Sequence, residues 1–447
     1  MNATQTTVAC AALLASVALA DIHYVNVSNT APSAPYTSWP SAATTIQAAV
    51  DYAFDSDTVL VTDGVYQVGT RVTNGYDCPA RVAILRDITV RSVNGAARTI
   101  IKGQGPLGSN AVRCVFLPGG RLVGFTITNG HTWTSSDTDG GGVTGPYSDA
   151  EPMGGVLSNC VICGNNAQNY GGGVNGCHAY NCMIIGNTAA AAYGGGTRGA
   201  LVNNCTISGN RANSGGATDR GWINDSTISG NSADTDGGGT CGGVIYRCAI
   251  TGNSARQRGG GAVSSTISNS TISGNTAGDY GGGGDHVTLY NCLVISNSAN
   301  MGGGLSASWP DNCTIAANYA TNSAGGVYAG TLRNSIVWGN LAPSDTNCYG
   351  ASLEYCCTWP AQAGPGNLSA NPLFADPAVT NYRLADGSPC IAAGTNAFAP
   401  MPTDLDGNPR IFGGRVDMGC YEFVPEPCAL MLIGLIGLVG LVRRGRS

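Results

Sequence analysis

One phrase recurs along the middle of the chain. STISGN stands at 226–231 and again at 270–275, CTISGN at 205–210, CAITGN at 248–253 and CTIAAN at 313–318. The asparagine that closes it falls at Asn165, Asn187, Asn210, Asn231, Asn253, Asn275, Asn297, Asn318 and Asn340, in steps of 21 to 23 residues. Three residues before each asparagine stands an isoleucine or valine, from Ile162 to Val337. Five before stands a cysteine or serine, from Cys160 to Ser335. Two residues separate these columns, which is the period of a strand with one buried face.

Such a strand cannot shield its own apolar face. Stacked copies shield one another and pair every strand above and below. A leucine-rich repeat has a similar period but needs several leucines per turn, and these copies have almost none. The expected fold is all-β, a right-handed parallel β-helix, because crossovers between parallel strands are right-handed by strong preference. Each coil then rises by roughly 4.8 Å, the spacing of paired strands. Gly-Asn is expected to turn the chain, with Asn tolerating the left-handed conformation and its amide bonding along the stack. The glycine runs at 171–173, 194–196, 237–239, 259–261, 281–284 and 302–304 mark a second corner with no room for a Cβ.

Less regular strands precede the repeat: DTVLVTD (57–63), DITVRSV (87–93), RTIIKG (98–103), VRCVFL (112–117) and LVGFTITNG (122–130). Before them, TTIQAAVDYAF (44–54) puts Ile46, Ala49, Val50 and Ala53 on one helical face, with Thr44 or Thr45 as N-cap. This helix is expected to cap the open end of the stack, where bare strand edges would otherwise be exposed. The expected divisions are a signal peptide (1–20), an N-terminal cap (21–56), a β-helix (57–345), a closing region (346–423) and a sorting segment (424–447).

The chain has 447 residues, 43% hydrophobic and 11% charged, with a net charge of -6. That balance supports a buried core and excludes the basic face a nucleic-acid partner requires. The apolar run VACAALLASVAL (8–19) ends in Ala18-Leu19-Ala20, the form of a signal-peptidase site before Asp21. At the other end, Val424, Pro425, Glu426 and Pro427 precede CALMLIGLIGLVGLV (428–442) and a terminal RRGRS. Fifteen apolar residues fall short of the roughly 20 that span a bilayer comfortably. Flanking arginines would hold an inserted helix with its end in the cytoplasm.

VPEP, an apolar run and an arginine cluster, in that order, resemble the PEP-CTERM sorting signal of Gram-negative bacteria, which an exosortase recognises and removes. YTSWPSAATTIQAAVDYAFDSDTVLVTDGVY (36–66) and the coils after it resemble the opening of pectin-lyase-like β-helix proteins. NPLFADPAVTNYRLADGSPCIAAGT (371–395) with DLDGNPRIFGGRVDMGCYEF (404–423) resembles the choice-of-anchor Q segment that closes β-helical surface proteins. These resemblances imply an exported protein of the cell surface, outer membrane or extracellular matrix. They imply an exosortase-type processing enzyme as partner, membrane contact through the C-terminal helix before processing, and extracellular polysaccharide as a ligand class.

Sixteen of the eighteen cysteines lie between the two terminal signals, and six of them occupy the column that starts at Cys160. Stacked thiols on in-register strands meet disulfide geometry poorly, so these are expected as buried packing residues. Cys348, Cys356, Cys357, Cys390 and Cys420 are the better disulfide candidates, with pairing open. No histidine pair accompanies the cysteines at zinc-site spacing, and no metal is expected.

Catalysis would need polar residues at equivalent places on neighbouring coils. Twelve residues before the repeat asparagines lies the column Met153, Asn175, Arg198, Asp219, Cys241, Val263, Asp285, Ser306 and Tyr328. Arg198 and Asp219, with Arg220 beside them, are the candidate catalytic residues. Arg would serve as the base of a polysaccharide lyase, and Asp would hold calcium or orient the sugar acid. The alternative is a solvated ion pair. Asp219 and Asp285 sit three coils apart, roughly 14 Å at strand spacing, too far for the ~5–9.5 Å of a glycosidase pair. A second column runs Asp139, Tyr170, Tyr193, Ser214, Asp236, Arg258, Tyr280, Met301 and Ala324. There Tyr170 and Tyr193 are candidate ligand-binding residues, as a sugar platform or a simple cover for the corner. Asp236 is expected beside Arg258, and Asp234 beside Arg256. His23, His131 and His178 have no partner at a useful spacing.

The sequence thus favours an exported, non-catalytic β-helix for adhesion or polysaccharide binding, with no cofactor. The alternative is a carbohydrate-active enzyme, a polysaccharide lyase before a glycoside hydrolase, with calcium implied only in that case.

Overall fold

Every isoleucine of the repeat stands on its counterpart. In the computed structural model, which describes residues 20–147 and 153–425, Ile162 pairs in register with Ile184, then Ile207, Ile228, Ile250 and Ile272. These side chains are fully buried. Each contributes about 1.5–3 kcal/mol of apolar burial. The strands that carry them form a parallel sheet of thirteen, from Gly64–Tyr66 to Cys357–Thr358. A second sheet of twenty-four strands and a third of eight supply the other faces of the coil. The architecture is the expected all-β parallel β-helix. Its rungs run past residue 345: Cys348–Glu354 pairs with Val327–Arg333, and Cys357–Thr358 with Ile336–Trp338.

The repeat asparagines form an unbroken buried ladder. From Asn165 to Asn340, each Nδ2 donates to the next asparagine's Oδ1 at 2.9–3.0 Å. Each also donates to a backbone carbonyl of the preceding coil, as Asn253 does to Ile228 at 3.0 Å. The division of labour differs from the expectation. The left-handed residue of the Gly-Asn turn is the glycine, with φ near +62° at Gly164, Gly186 and Gly230. The asparagine is thereby free to aim its amide inward. Left-handed asparagines occur instead at Asn159, Asn181 and Asn204, just before the cysteine column.

That column works as a second ladder. Backbone N–H groups donate to the small polar atom one coil on: Cys182 to Cys205 Sγ at 3.2 Å, Cys205 to Ser226 Oγ at 3.0 Å and Cys248 to Ser270 Oγ at 3.0 Å. Sulfur and hydroxyl interchange here because both are small acceptors. All sixteen cysteines among the described residues are free. Cys348 and Cys356 point into the main core, and Cys420 lies in a separate cluster. Of the C-terminal candidates, Cys357 and Cys390 share one buried cluster and meet thiol to thiol.

Glycine is required at the second corner by contact. A Cβ on Gly260 would lie 2.4 Å from the Thr276 carbonyl oxygen and 2.5 Å from that of Gly282. At the N-terminal end, helix Ile46–Tyr52 buries Ile46, Ala49 and Val50, and Thr45 caps it by accepting from the Ala48 N–H. His23 does have partners: Pro35 O at 2.7 Å and Asp57 Oδ2 at 3.3 Å. Asp57 lies 34 residues away, outside any repeat.

At the other end, residues 371–425 fold against the outside of the last coils. Their anchor is Arg410, fully buried, which donates to Asn312 Oδ1 at 2.9 Å and to the carbonyls of Asp417 and Gly419. It lies 3.3 Å from Glu422. No helix among the described residues is long and apolar enough to cross a membrane. Residues 1–19 of the signal segment lie outside the described residues, as do Glu426, Pro427 and the apolar run after them.

Candidate functional site

Two columns of side chains flank the glycine corner. One belongs to the ladder Thr144, Asn175, Arg198, Asp219, Cys241, Val263, Asp285, Ser306, Tyr328 and Tyr349, each in register with the next. Asn175 therefore follows Thr144, not Met153, because Thr144 ends its strand 21 residues before Asn165 and Met153 lies in no strand. Asp219 and Asp285 are three rungs apart, as the repeat implies. The other column carries Tyr193, Ser214, Asp236, Arg258, Tyr280 and Met301, and it reaches Ser323 rather than Ala324 through a register shift.

The floor between the columns is bare backbone, so side chains from both sides meet across it. At one end Tyr170 stacks on Tyr193, ring centres 5.9 Å apart and 16° from parallel. At the other, Tyr328 lies 5.9 Å from Tyr280 and stacks on Tyr349 at 5.4 Å and 16°. Tyr349 is half exposed. Between these clusters Arg258 grips Asp236 through two hydrogen bonds of 3.1 and 2.8 Å. His286 Nδ1 lies 2.8 Å from buried Asp285, with its ring edge-on to exposed Trp309. Asp234 pairs with Arg211 at 2.8 Å rather than with Arg256, since Arg211 lies on the preceding rung and reaches it first.

The three catalytic candidates come together, and the geometry constrains what they do. The Arg198 guanidinium lies 3.7 Å from the Tyr170 ring centre and 4.3 Å from that of Tyr147. Its Nη1 is 3.4 Å from Asp139 Oδ2 and its Nε 3.6 Å from Asp219 Oδ2. Its side chain is 15% exposed and that of Asp219 9%, so this is a largely buried cluster rather than a solvated pair. Arg220 donates to the Tyr147 hydroxyl at 3.3 Å. Burial raises the Asp139 carboxyl above its ordinary range, opposed by Arg198. Burial pushes the Cys241 thiol up to about 12, with Asp219 and Asp236 adding to the effect.

A pocket of about 360 Å³ opens beside this cluster, lined by Tyr76, Asp137, Asp139, Thr144, Tyr147 and Asn175 among others. Sequence reasoning missed most of it. Tyr76, Asp137 and Arg113 belong to the aperiodic first coils, where no repeat announces which residues meet. Arg113, fully buried, binds Asp137 Oδ1 at 2.5 Å, and the Cys78 N–H binds Asp137 Oδ2 at 2.9 Å. A larger cleft of about 770 Å³, walled by Trp338, Phe374 and Tyr382, separates the last coils from the closing region.

No protein-family model matches the chain, and no curated protein matches it. Among solved structures, the pectate lyase Pel9A is similar at 14% identity, covering 92% of this chain and 98% of that one, with a TM-score of 0.38. XylC in complex with xylose is similar at 10% identity over 91% and 99% of the two chains, TM-score 0.44. The A-module of the Azotobacter vinelandii mannuronan C-5 epimerase AlgE4 is similar at 15% identity over 73% and 95%, TM-score 0.35.

Proposed function

We propose that this chain is an exported surface protein that holds polysaccharide along the glycine corner without cleaving it. The observation that carries this reading is the pair of stacked-tyrosine clusters on one rigid rail. Tyr193 and Tyr349 are the exposed members of the two clusters and offer ring surface to solvent, each backed by a neighbouring tyrosine. Sugar rings present C–H faces that suit such flat, amphipathic surfaces. A stack of rungs holds these rings in place without any rearrangement on binding, which limits the entropy lost.

The lyase alternative has less support. A lyase base must reach a substrate proton, and Arg198 is covered by two tyrosines and flanked by two carboxylates. Export and sorting rest on the terminal sequence resemblances. Val424 and Pro425 come just after Glu422, which lies buried against Arg410, and this suits a signal that trails a folded domain.

Affinity electrophoresis against neutral and acidic polysaccharides tests the reading. Retardation by at least one polymer is expected, weakened several-fold in Tyr328→Ala with Tyr349→Ala. No unsaturated product should absorb in the ultraviolet with acidic polymers and calcium. Absence of binding to every polymer would refute the reading, as would product formation that Arg198→Ala abolishes.

A further inference from the structure

We infer that the pocket around Asn175 is a subsite for an uncharged sugar residue, closing one end of the proposed polysaccharide face. This rests on the polysaccharide reading and names the chemistry of its ligand. The starting point is an unmet hydrogen bond. Asn175 is 5% exposed and lines the pocket. Its Nδ2 donates to Thr144 Oγ1 at 3.2 Å, while its Oδ1 has no partner among the described residues. A buried acceptor left unpaired is costly, and a ligand hydroxyl would remove that cost.

The charges decide what kind of ligand fits. Among the described residues, the ionisable carboxylates lining the pocket are Asp137 and Asp139, and no basic side chain lines it. A uronate or sulfated sugar would place a negative charge against both. The arginines nearby already have partners: Arg113 binds Asp137, Arg198 lies against Asp139 and Asp219, and Arg220 donates to the Tyr147 hydroxyl. A cation is disfavoured because the acidic oxygens are in use. Asp137 Oδ1 accepts from Arg113 and Oδ2 from the Cys78 N–H. Asp139 Oδ1 accepts from the Thr138 hydroxyl at 3.1 Å and Oδ2 from Arg198 at 3.4 Å. The lining also offers an amide oxygen and the Tyr76 ring, while Tyr147 is held by Arg198 over its ring and by Arg220 at its hydroxyl. That set matches a neutral polyhydroxylated ring: a hydroxyl donor for Asn175, and a C–H face for Tyr76. At about 360 Å³ the pocket is at the small end of ligand sites, in keeping with one sugar residue or two.

The test is calorimetric titration of the full chain with two sets of hexasaccharides. One set is neutral (gluco-, xylo- and manno-configured), the other built of uronic acids. Wild type should bind at least one neutral oligomer tenfold more tightly than any uronate. Asn175→Ala should weaken that binding tenfold or more at unchanged melting temperature. Asp139→Asn should narrow the preference by improving uronate binding. The wild-type preference needs no variant, so it stands even if a substitution disturbs folding. Uronates bound as tightly as neutral oligomers would overturn the inference. So would neutral binding that Asn175→Ala leaves intact while Tyr328→Ala with Tyr349→Ala abolishes it, an outcome that spares the polysaccharide reading. Failure of every oligomer and every polymer to bind would refute both.

Discussion

Replacing Asn253 by alanine isolates the asparagine ladder. The side chain, 1% exposed, makes four hydrogen bonds. It donates to Ile228 O at 3.0 Å and to Asn275 Oδ1 at 3.0 Å. It accepts from the Asn231 backbone N–H at 3.0 Å and from Asn231 Nδ2 at 2.9 Å. At about 0.5–1.5 kcal/mol net per bond, their loss sums to about 2–6 kcal/mol, and the buried Asn231 N–H is left without its acceptor. An expected loss of about 4 kcal/mol is large beside typical domain stabilities of about 5–15 kcal/mol. Asn253→Asp keeps the shape and both accepted bonds but turns the donor edge toward two oxygens. It should cost more than alanine at neutral pH. The buried Asp carboxyl would have a raised folded-state pKa. Its relative stability would thus be greatest below the unfolded value of about 3.9 and would fall as pH rises through the folded value. Guanidinium unfolding followed by circular dichroism, at pH 4 and pH 7, reads both effects. Ser273→Ala, on the partly exposed neighbouring strand position, serves as control and should change stability by under about 0.5 kcal/mol. An alanine variant within about 1 kcal/mol of wild type would refute the claim that the amide column holds the coils together.

Gly260→Ala should prevent stable folding, because its Cβ meets two carbonyl oxygens at 2.4–2.5 Å. Gly252→Ala, with nothing within 4 Å of its Cβ but φ of +63°, should cost only about 1–2 kcal/mol by chemical denaturation. Burial raises the Glu422 carboxyl to about 8, against Arg410, with Asp417 and Asp404 also facing it. A raised folded-state value means stability present below about 4.5 is lost as pH climbs through about 8. Glu422→Gln should flatten melting temperature across that range. Among the C-terminal cysteines, a mild disulfide donor should join Cys357 to Cys390 after partial unfolding, and peptide mapping should find no other pair from that region. Pro425→Ala with Glu426→Ala should block C-terminal processing in the native host, and unchanged mature mass would remove the sorting reading.

The repeat made the rungs legible because in-register stacking turns sequence spacing into contact. Arg198 over Asp219, Tyr170 over Tyr193 and Asp236 beside Arg258 all follow from counting residues. Counting failed where the coil length changes. Thr144, 21 residues before Asn165 where the count of twelve gave Met153, takes the place in the ladder. It failed for charges as well, because Asp234 has a rung on either side and counting does not say which it meets. Arg113, Asp137 and Tyr76 were invisible for a different reason: the first coils share no common phrase, so their meeting is a product of tertiary packing. The closing region folds back on the outside of the stack, and its cleft with Trp338 has no counterpart in any periodic signal.

The amides of the asparagine column are aligned: each C=O points toward the N-terminal coils, and one N–H of each points to the next coil while the other bonds back to the preceding one. Side-chain dipoles aligned head to tail in a low-dielectric interior add together, as peptide dipoles do along an α-helix. The molecule is therefore electrically polar along its axis, although its strands contribute little net dipole of their own. Both poles are quenched internally: Asn165 Oδ1 receives the Gly130 N–H at 2.8 Å, and Asn340 passes its bond to Asn347, which ends on Trp359 O at 2.6 Å. A second molecule stacked on either end would find no open bond in this column to continue.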